Sequence, residues 1–426
     1  MLRGTAKGFR IAIGLFGRRN VGKSSLLNAL TRQKVSIVSP VAGTTTDPVE
    51  KPMELQPLGP VLFLDTAGID DVDALGLERI ERTQQILARV EIAVLIAEAG
   101  MWGEYEEKLL AQIRARAIPT LIVLNKIDLQ PPSDAQRRFF AQEALPHVEV
   151  SATTGTGLDA LRATLAKLAP ERAANPAVIL RDLVGPNELA VLVTPIDREA
   201  PKGRIKQLQV QTIRDLLDGE AACVVVKETG LAHVLDNLKT PPKIVVTDAQ
   251  VFDAVARITP EDIPLTAFSI LFARLKGDLV AQTRATLTID ALHPGDQVLI
   301  AEACAHHPIE DDIGRVKIPH WLEEHADGPL QFTTVQGRDL PKDLSCFKLA
   351  IHCGACLWTP HEMRERIRHC HSHGLPITNY GLAIAHLHNI LERALAPFPE
   401  ALAAYCEERE RLQAAARQPQ EALVEP

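Results

Sequence analysis

Arg10-Ile11-Ala12-Ile13-Gly14-Leu15-Phe16 leads directly into Gly17-Arg18-Arg19-Asn20-Val21-Gly22-Lys23-Ser24, and Ser25-Leu26-Leu27-Asn28-Ala29-Leu30 follows. The first segment is an apolar run fit for a buried strand, and the last has helical spacing. Between them the chain matches G-x-x-x-x-G-K-[ST] in the strand–loop–helix setting that this motif requires. The glycines let backbone N–H groups close on phosphates, and the helix N-terminus adds a favourable field. In this motif Lys23 reaches the β- and γ-phosphates, and the Ser24 hydroxyl binds Mg2+. The stretch predicts an α/β nucleotide-binding domain at the front of the chain.

Four further segments arrive in order. Thr44-Thr45-Thr46-Asp47 lies in a polar loop, and Asp65-Thr66-Ala67-Gly68 ends the strand-like run 61–64. Asn125-Lys126-Ile127-Asp128 ends the run 121–124, and Ser151-Ala152 ends 148–150. This series resembles the translation-factor-related GTPases. The resemblance implies that Asp128 accepts hydrogen bonds from guanine N1 and N2, which adenine cannot supply. It implies Thr45 as the switch threonine on Mg2+, Asp65 holding Mg2+ through water, and the Gly68 N–H sensing the γ-phosphate. The implied GTP-binding set is Gly17, Asn20, Val21, Gly22, Lys23, Ser24, Ser25, Thr45, Asp65, Gly68, Asn125, Lys126, Asp128, Ser151 and Ala152.

Ile69 follows Gly68 where the best-known small GTPases have glutamine, so the usual water-positioning side chain is missing. That departure, Asn20 and the segment Gly76-Leu77-Glu78-Arg79 resemble the subgroup typified by the tRNA-modifying GTPase MnmE. There the matching asparagine helps hold K+ where other GTPases receive an arginine finger. A cation at that point offsets charge developing between the phosphates. The implied catalytic set is Lys23, Asn20, Thr45 and Gly68, with slow intrinsic hydrolysis that requires K+. The plainer reading of Asn20 is a loop asparagine tolerating unusual backbone geometry.

With 426 residues the chain has room for two or three domains, each with its own core. Hydrophobic content of 46% and charged content of 23% are those of a globular protein. A net charge of −8 disfavours a general role on nucleic acid, which wants a basic face. No apolar run reaches the length of a membrane span, and residues 1–10 lack the apolar core of a signal peptide. These features predict a cytoplasmic protein, in which seven cysteines do not form a disulfide framework.

We expect three α/β domains: a P-loop GTPase over 1–170, a connector over 171–265 and a metal-binding domain over 266–426 with a C-terminal helix and tail. In the connector, strand-like runs at 189–196, 221–226 and 243–246 alternate with helical patterns, which implies a parallel sheet. The run 221–226 reads as a buried strand, with Cys223 as a small core residue. No catalytic constellation falls here, which suggests mechanical coupling or self-association.

In the last domain, segment 267–292 is mostly helical with a break near Gly277. Three strand-like segments follow. Run 297–301 leads to Cys304-Ala305-His306-His307, run 348–351 to His352-Cys353-Gly354-Ala355-Cys356, and 376–378 to Asn379-Tyr380-Gly381. Ligands collect beyond the carboxyl ends of parallel strands, where loops converge. Three thiols with histidines beside them suit an iron–sulfur cluster or zinc, and Gly354 lets the loop wrap close to a metal. Cys370 and Cys406 read as packing residues and Cys346 as a loop residue. His361, His369, His371, His373, His386 and His388 lie on or beside the following helices and could suggest a second metal, but their spacing is loose and solvated helix faces explain most of them.

The pattern Cys304-x-His306, a long spacer, then His352-Cys353-x-x-Cys356 resembles the HydF family, the maturation GTPases of [FeFe]-hydrogenases. Segments 309–315 and 376–381 and the domain order share that likeness, which covers nearly the whole chain. It implies a [4Fe-4S] cluster on Cys304, Cys353 and Cys356, with the fourth ligand open among His306, His352, a carboxylate or solvent. It also implies a scaffold that carries a diiron precursor built with two radical S-adenosylmethionine maturases and received by the hydrogenase apoprotein; self-association through the connector would make that scaffold a homodimer. The rival readings are a tRNA- or ribosome-directed GTPase with a structural zinc site, and a scaffold with a vestigial nucleotide site. The presence of Lys23, Ser24, Asp65 and Asp128 argues against the latter.

Overall fold

A computed structural model describes residues 7–31, 49–65, 83–170, 178–196, 205–303, 312–341, 343–356 and 358–421. The chain divides into two compact units, Met1–Pro176 and Ala177–Pro426.

The first unit is built on six strands: β1 (Ile11–Phe16), β2 (Val49–Leu55), β3 (Gly59–Asp65), β4 (Ile92–Glu98), β5 (Thr120–Asn125) and β6 (His147–Glu149). Their order is β2-β3-β1-β4-β5-β6; β2 runs antiparallel to β3 and the remaining pairs are parallel. Side chains of β1 and β3 alternate between two apolar layers. Ile13, Leu15 and Phe63 pack with Leu26 and Leu27 of helix α1 (Lys23–Thr31), whereas Leu62, Leu64 and Leu95 pack with Ile113 and Phe140. Burial on both faces explains why these strands read as continuous apolar runs.

The second unit holds two four-stranded parallel sheets, as expected. One comprises β7 (Leu189–Val193), β8 (Ala222–Val226), β9 (Ile244–Thr247) and β10 (Leu265–Ala267), in the order β10-β9-β7-β8. Strand β10 carries this sheet past residue 265. The run read as a buried strand at 221–226 is instead the edge strand β8, half exposed, with Val225 open to solvent and Cys223 only partly buried. Helix α2 (Gln207–Asp218) connects β7 to β8 and leaves Val210 and Leu217 exposed as well.

The other sheet comprises β11 (Gln297–Glu302), β12 (Gln331–Gln336), β13 (Phe347–His352) and β14 (Ile377–Asn379), in the order β12-β11-β13-β14. Helix α3 (Phe268–Lys276) stops at Gly277, where the sequence predicts a break. Helix α4 (Ile318–His325) crosses from β11 to β12 and α5 (Pro360–Ser372) from β13 to β14, while α6 (Tyr380–Leu387) follows the last strand. After β11 the chain goes to one side for β12 and returns to the other for β13. The carboxyl ends of β11 and β13 therefore flank a topological switch point, where open α/β sheets bind ligands.

Candidate functional site

The phosphate loop is fixed by two glycines and an asparagine. Gly17 has φ 144° and Gly22 has φ 93°; a Cβ there would lie 2.2 Å from the Ile96 carbonyl oxygen and 2.4 Å from Asn125 Nδ2, respectively. Neither position tolerates a side chain. Asn125 Nδ2 donates to Val21 O at 2.8 Å, and its Oδ1 accepts from Ala152 N at 3.1 Å. One buried side chain thus ties the loop after β5 to the phosphate loop and to the Ser151-Ala152 segment. Lys23 is buried, and its Nζ donates to Gly17 O (2.6 Å) and Arg18 O (3.0 Å). Ser24 Oγ donates to Asp65 Oδ2 at 3.3 Å, which brings together two oxygen donors suited to Mg2+. Asp128 is exposed, and Asn20, also exposed, has φ 63°, a conformation asparagine adopts more readily than most residues. Thr45 and Gly68 lie outside the described residues.

At the switch point Cys353 N donates to Ala301 O (2.9 Å), and Cys353 Sγ accepts from Ala303 N (3.1 Å). Ala303 O in turn accepts from Trp358 Nε1 at 3.0 Å. Ala303 is the residue before Cys304; Cys304 and His306 themselves lie outside the described residues. From the end of α3, Lys276 reaches in with 1% exposure, and its Nζ donates to Ala355 O (3.0 Å) and Cys356 O (3.1 Å). The segment closes on a capping box: Glu362 N donates to Thr359 Oγ1, Thr359 N donates to Glu362 Oε2, and Pro360 takes the first helical position.

His352 is fully buried. Its Nδ1 lies 2.7 Å from Cys353 O, and its Nε2 lies 3.4 Å from Arg366 Nη1. Burial, and then the Arg366 charge, push its pKa down to about 3, so the ring is neutral. Those partners assign the proton to Nδ1. Arg366 Nη2 donates to Gly337 O and Arg338 O, and the guanidinium lies over the Trp358 ring at 4.3 Å. Burial lowers the Arg366 pKa only to about 10, so it keeps its charge at neutral pH. Lys276 and Arg366 give the cysteine loop a cationic frame that suits an anionic thiolate cluster. Cys370 is fully buried and burial pushes its thiol up to about 11; it is a packing residue, as the sequence suggests.

Residues 179–277 match the hydrogen maturase F dimerization domain, and residues 280–397 match the hydrogen maturase F tetramerization domain. The chain belongs to the HydF family. Residues 12–126 match the 50S ribosome-binding GTPase model. Curated relatives include GTPase Der of Wolinella succinogenes, 36% identical over 168 residues, or 37% of this chain and 36% of that protein. The tRNA modification GTPase MnmE of Prochlorococcus marinus is 41% identical over 159 residues, 35% of this chain and 33% of that protein. These matches thus span only about a third of the relatives' own lengths. Among solved structures, an Aquifex aeolicus Era variant bound to GDP·AlF4− aligns with 23% identity and a TM-score of 0.33, covering 58% of this chain and 97% of that one.

In this HydF-family chain the motif segments outside the cysteines have structural work. Asn379 Oδ1 caps α6 at Leu382 N, and a Cβ at Gly381 would lie 2.0 Å from Ser269 Oγ. A Cβ at Gly314 would lie 2.0 Å from the Tyr380 hydroxyl, and Arg315 Nη2 donates to buried Glu302 at 3.0 Å. Burial, followed by the charges of Cys353, Glu302 and Asp312, holds the Tyr380 hydroxyl well above its ordinary pKa, so it stays protonated.

In the cysteine loop the left-handed residue is Ala355 (φ 48°), and a Cβ added at Gly354 would make ordinary contact with Leu208 of α2 at 3.5 Å. The left-handed conformation costs a residue with a Cβ about 1–2 kcal/mol. Ala355→Gly should therefore raise unfolding free energy by about 1 kcal/mol, read by denaturant melts. An unchanged midpoint would mean that Ala355 is unstrained.

Proposed function

We propose that this chain is the GTP-hydrolysing maturation factor of an [FeFe]-hydrogenase. It would bind a [4Fe-4S] cluster through Cys304, Cys353 and Cys356 and carry a diiron precursor to the hydrogenase apoprotein. The observation that carries this reading is the 3.1 Å contact from Ala303 N to Cys353 Sγ, which joins the chain leading into Cys304 to the Cys353/Cys356 loop. The donor set supports it: two partly exposed thiols lie on a loop held by buried Lys276, beside buried Arg366. When bound, the cluster supplies an iron with an exchangeable position. We assign that position to His306, a carboxylate or solvent in preference to His352, whose ring nitrogens are both occupied by protein partners.

Labour divides along the chain in this reading. The GTPase of 1–170 binds GTP and Mg2+, the connector after it mediates self-association, and the last domain holds the cluster. The half-exposed edge strand β8 with Val225, and exposed Val210 and Leu217 on α2, support a homodimer through the connector. Radical S-adenosylmethionine maturases would be the upstream partners. No helix among the described residues is long and apolar enough to cross a membrane, and we place the protein in the cytoplasm. Anaerobic purification with iron and zinc analysis tests the cluster. Stoichiometric zinc without iron would favour the tRNA- or ribosome-directed alternative.

Asn20 also enters as a K+ ligand. Asn20→Gly retains a residue at ease with φ 63° but removes the amide. K+ stimulation of GTP turnover should fall about tenfold if the amide helps hold the charge-offsetting cation. Stimulation equal to the parent's would leave Asn20 a backbone role only.

A further inference from the structure

On the third sheet three side chains from three separate segments meet, away from the cysteine loop. Asp290 lies in the tight turn Leu287–Ala291 that precedes β11, His325 ends α4, and His386 lies in the last turn of α6. Helix α6 starts at the carboxyl end of β14, so His386 is about 9 Å further along its axis, toward the amino edge of the sheet. Helix α4 likewise ends at that edge, shortly before β12 begins. The Nε2 atoms of His386 and His325 lie 2.7 and 3.0 Å from one and the same Asp290 oxygen, Oδ1. All three ligand atoms fall within 4.8 Å of one another. A tetrahedral ion with metal–ligand bonds near 2.0 Å spaces its ligands about 3.3 Å apart, so small adjustments suffice. The supporting elements are rigid: Ile289, Ile318, Leu322 and Ile384 share one buried apolar layer beneath the cluster. Burial would raise the Asp290 pKa, but hydrogen bonds from His386 and His325 outweigh it and keep the carboxylate ionised.

We propose that Asp290, His325 and His386 form a second metal site that takes a divalent first-row transition ion. Two imidazoles and a carboxylate leave coordination positions open, as in catalytic zinc and non-haem ferrous sites. The ion clips the turn before β11 to helices α4 and α6 on one face of the sheet. The site stands apart from the thiolate loop and does not depend on the reading of that loop.

The test uses the full chain with Cys304→Ser, Cys353→Ser and Cys356→Ser, so that the thiols of the proposed cluster site do not compete. Calorimetric titration with Zn2+, and anaerobically with Fe2+, should show a single site for at least one of them. Co2+ should give visible ligand-field bands without thiolate charge transfer. It should also quench Trp321, one helical turn from His325 and with its ring 4.8 Å from that of His388. Asp290→Asn, nearly isosteric, and His325→Ala should each weaken binding by at least ~100-fold, beyond the ~10–100-fold cost of changing an outer-shell partner. Equal affinity in these variants and their parent overturns the proposal, as does failure of every ion to bind; the three residues are then a hydrogen-bonded staple. If the serine parent does not fold, Co2+ titration of the intact chain serves. Ligand-field bands free of charge transfer that vanish in Asp290→Asn uphold the site, and bands that persist there overturn it.

Discussion

Anaerobically reconstituted protein carrying Cys353→Ser is expected to lose its iron–sulfur absorbance and its iron, with GTP turnover left at the parent level. Serine offers a harder oxygen on a shorter bond where iron prefers thiolate. It also removes the sulfur that accepts from Ala303 N at 3.1 Å, the contact between the strand end leading to Cys304 and the second cysteine loop. Iron retained at the parent level would sink the cluster assignment. Lys276→Met refines the test. It keeps every thiol but frees the carbonyls of Ala355 and Cys356 and removes a buried positive charge. Loss of that charge disfavours the more negative, reduced state, so the cluster potential should fall and iron should dissociate faster. An unmoved potential would reduce Lys276 to a packing role.

Lys23→Ala is expected to lower the turnover number for GTP by about 10²–10³-fold, the scale of losing one preorganised charge-stabilising donor. Its Nζ rests against Gly17 O and Arg18 O, so it is already poised over the loop that would cradle phosphates. Gly17, Gly22 and Asn125 also hold the loop backbone from other directions, so the loop keeps supports when the lysine is removed. Steady-state phosphate release measures the effect. Turnover within a few-fold of the parent would remove Lys23 from the catalytic set, and maturation that survives without hydrolysis would make the GTPase dispensable for it.

The parts legible in sequence are those written locally. A strand, a glycine-framed loop and a helix start stand next to one another from Ile11 to Leu30, and the fold of the first unit follows from them. The cysteine loop was legible for the same reason, since β13 runs straight into it. Partners that arrive from far along the chain were not. Lys276 lies 80 residues from Cys356, and nothing near residue 276 announces a carbonyl clamp. Burial is not legible where only a neighbouring element decides it. Segment 221–226 is apolar enough for a core, yet topology puts it at an edge. The spacer between His306 and His352 has room for another strand, but β12, with its exposed polar residues and two threonines, lacks the apolar signature that would place it. His386 reads as a solvated helix residue because the acid it meets, Asp290, lies 96 positions away.

The side chain of Leu208 reaches toward Gly354, so the first turn of α2 lies against the thiol-bearing segment, while Val210 and Leu217 on the same helix meet solvent. A neighbour that seats on those two residues grips the helix whose first turn touches the cysteine loop, the segment proposed to hold iron. Association and iron retention then become one linked equilibrium, and dilution of the protein would by itself hasten the escape of iron.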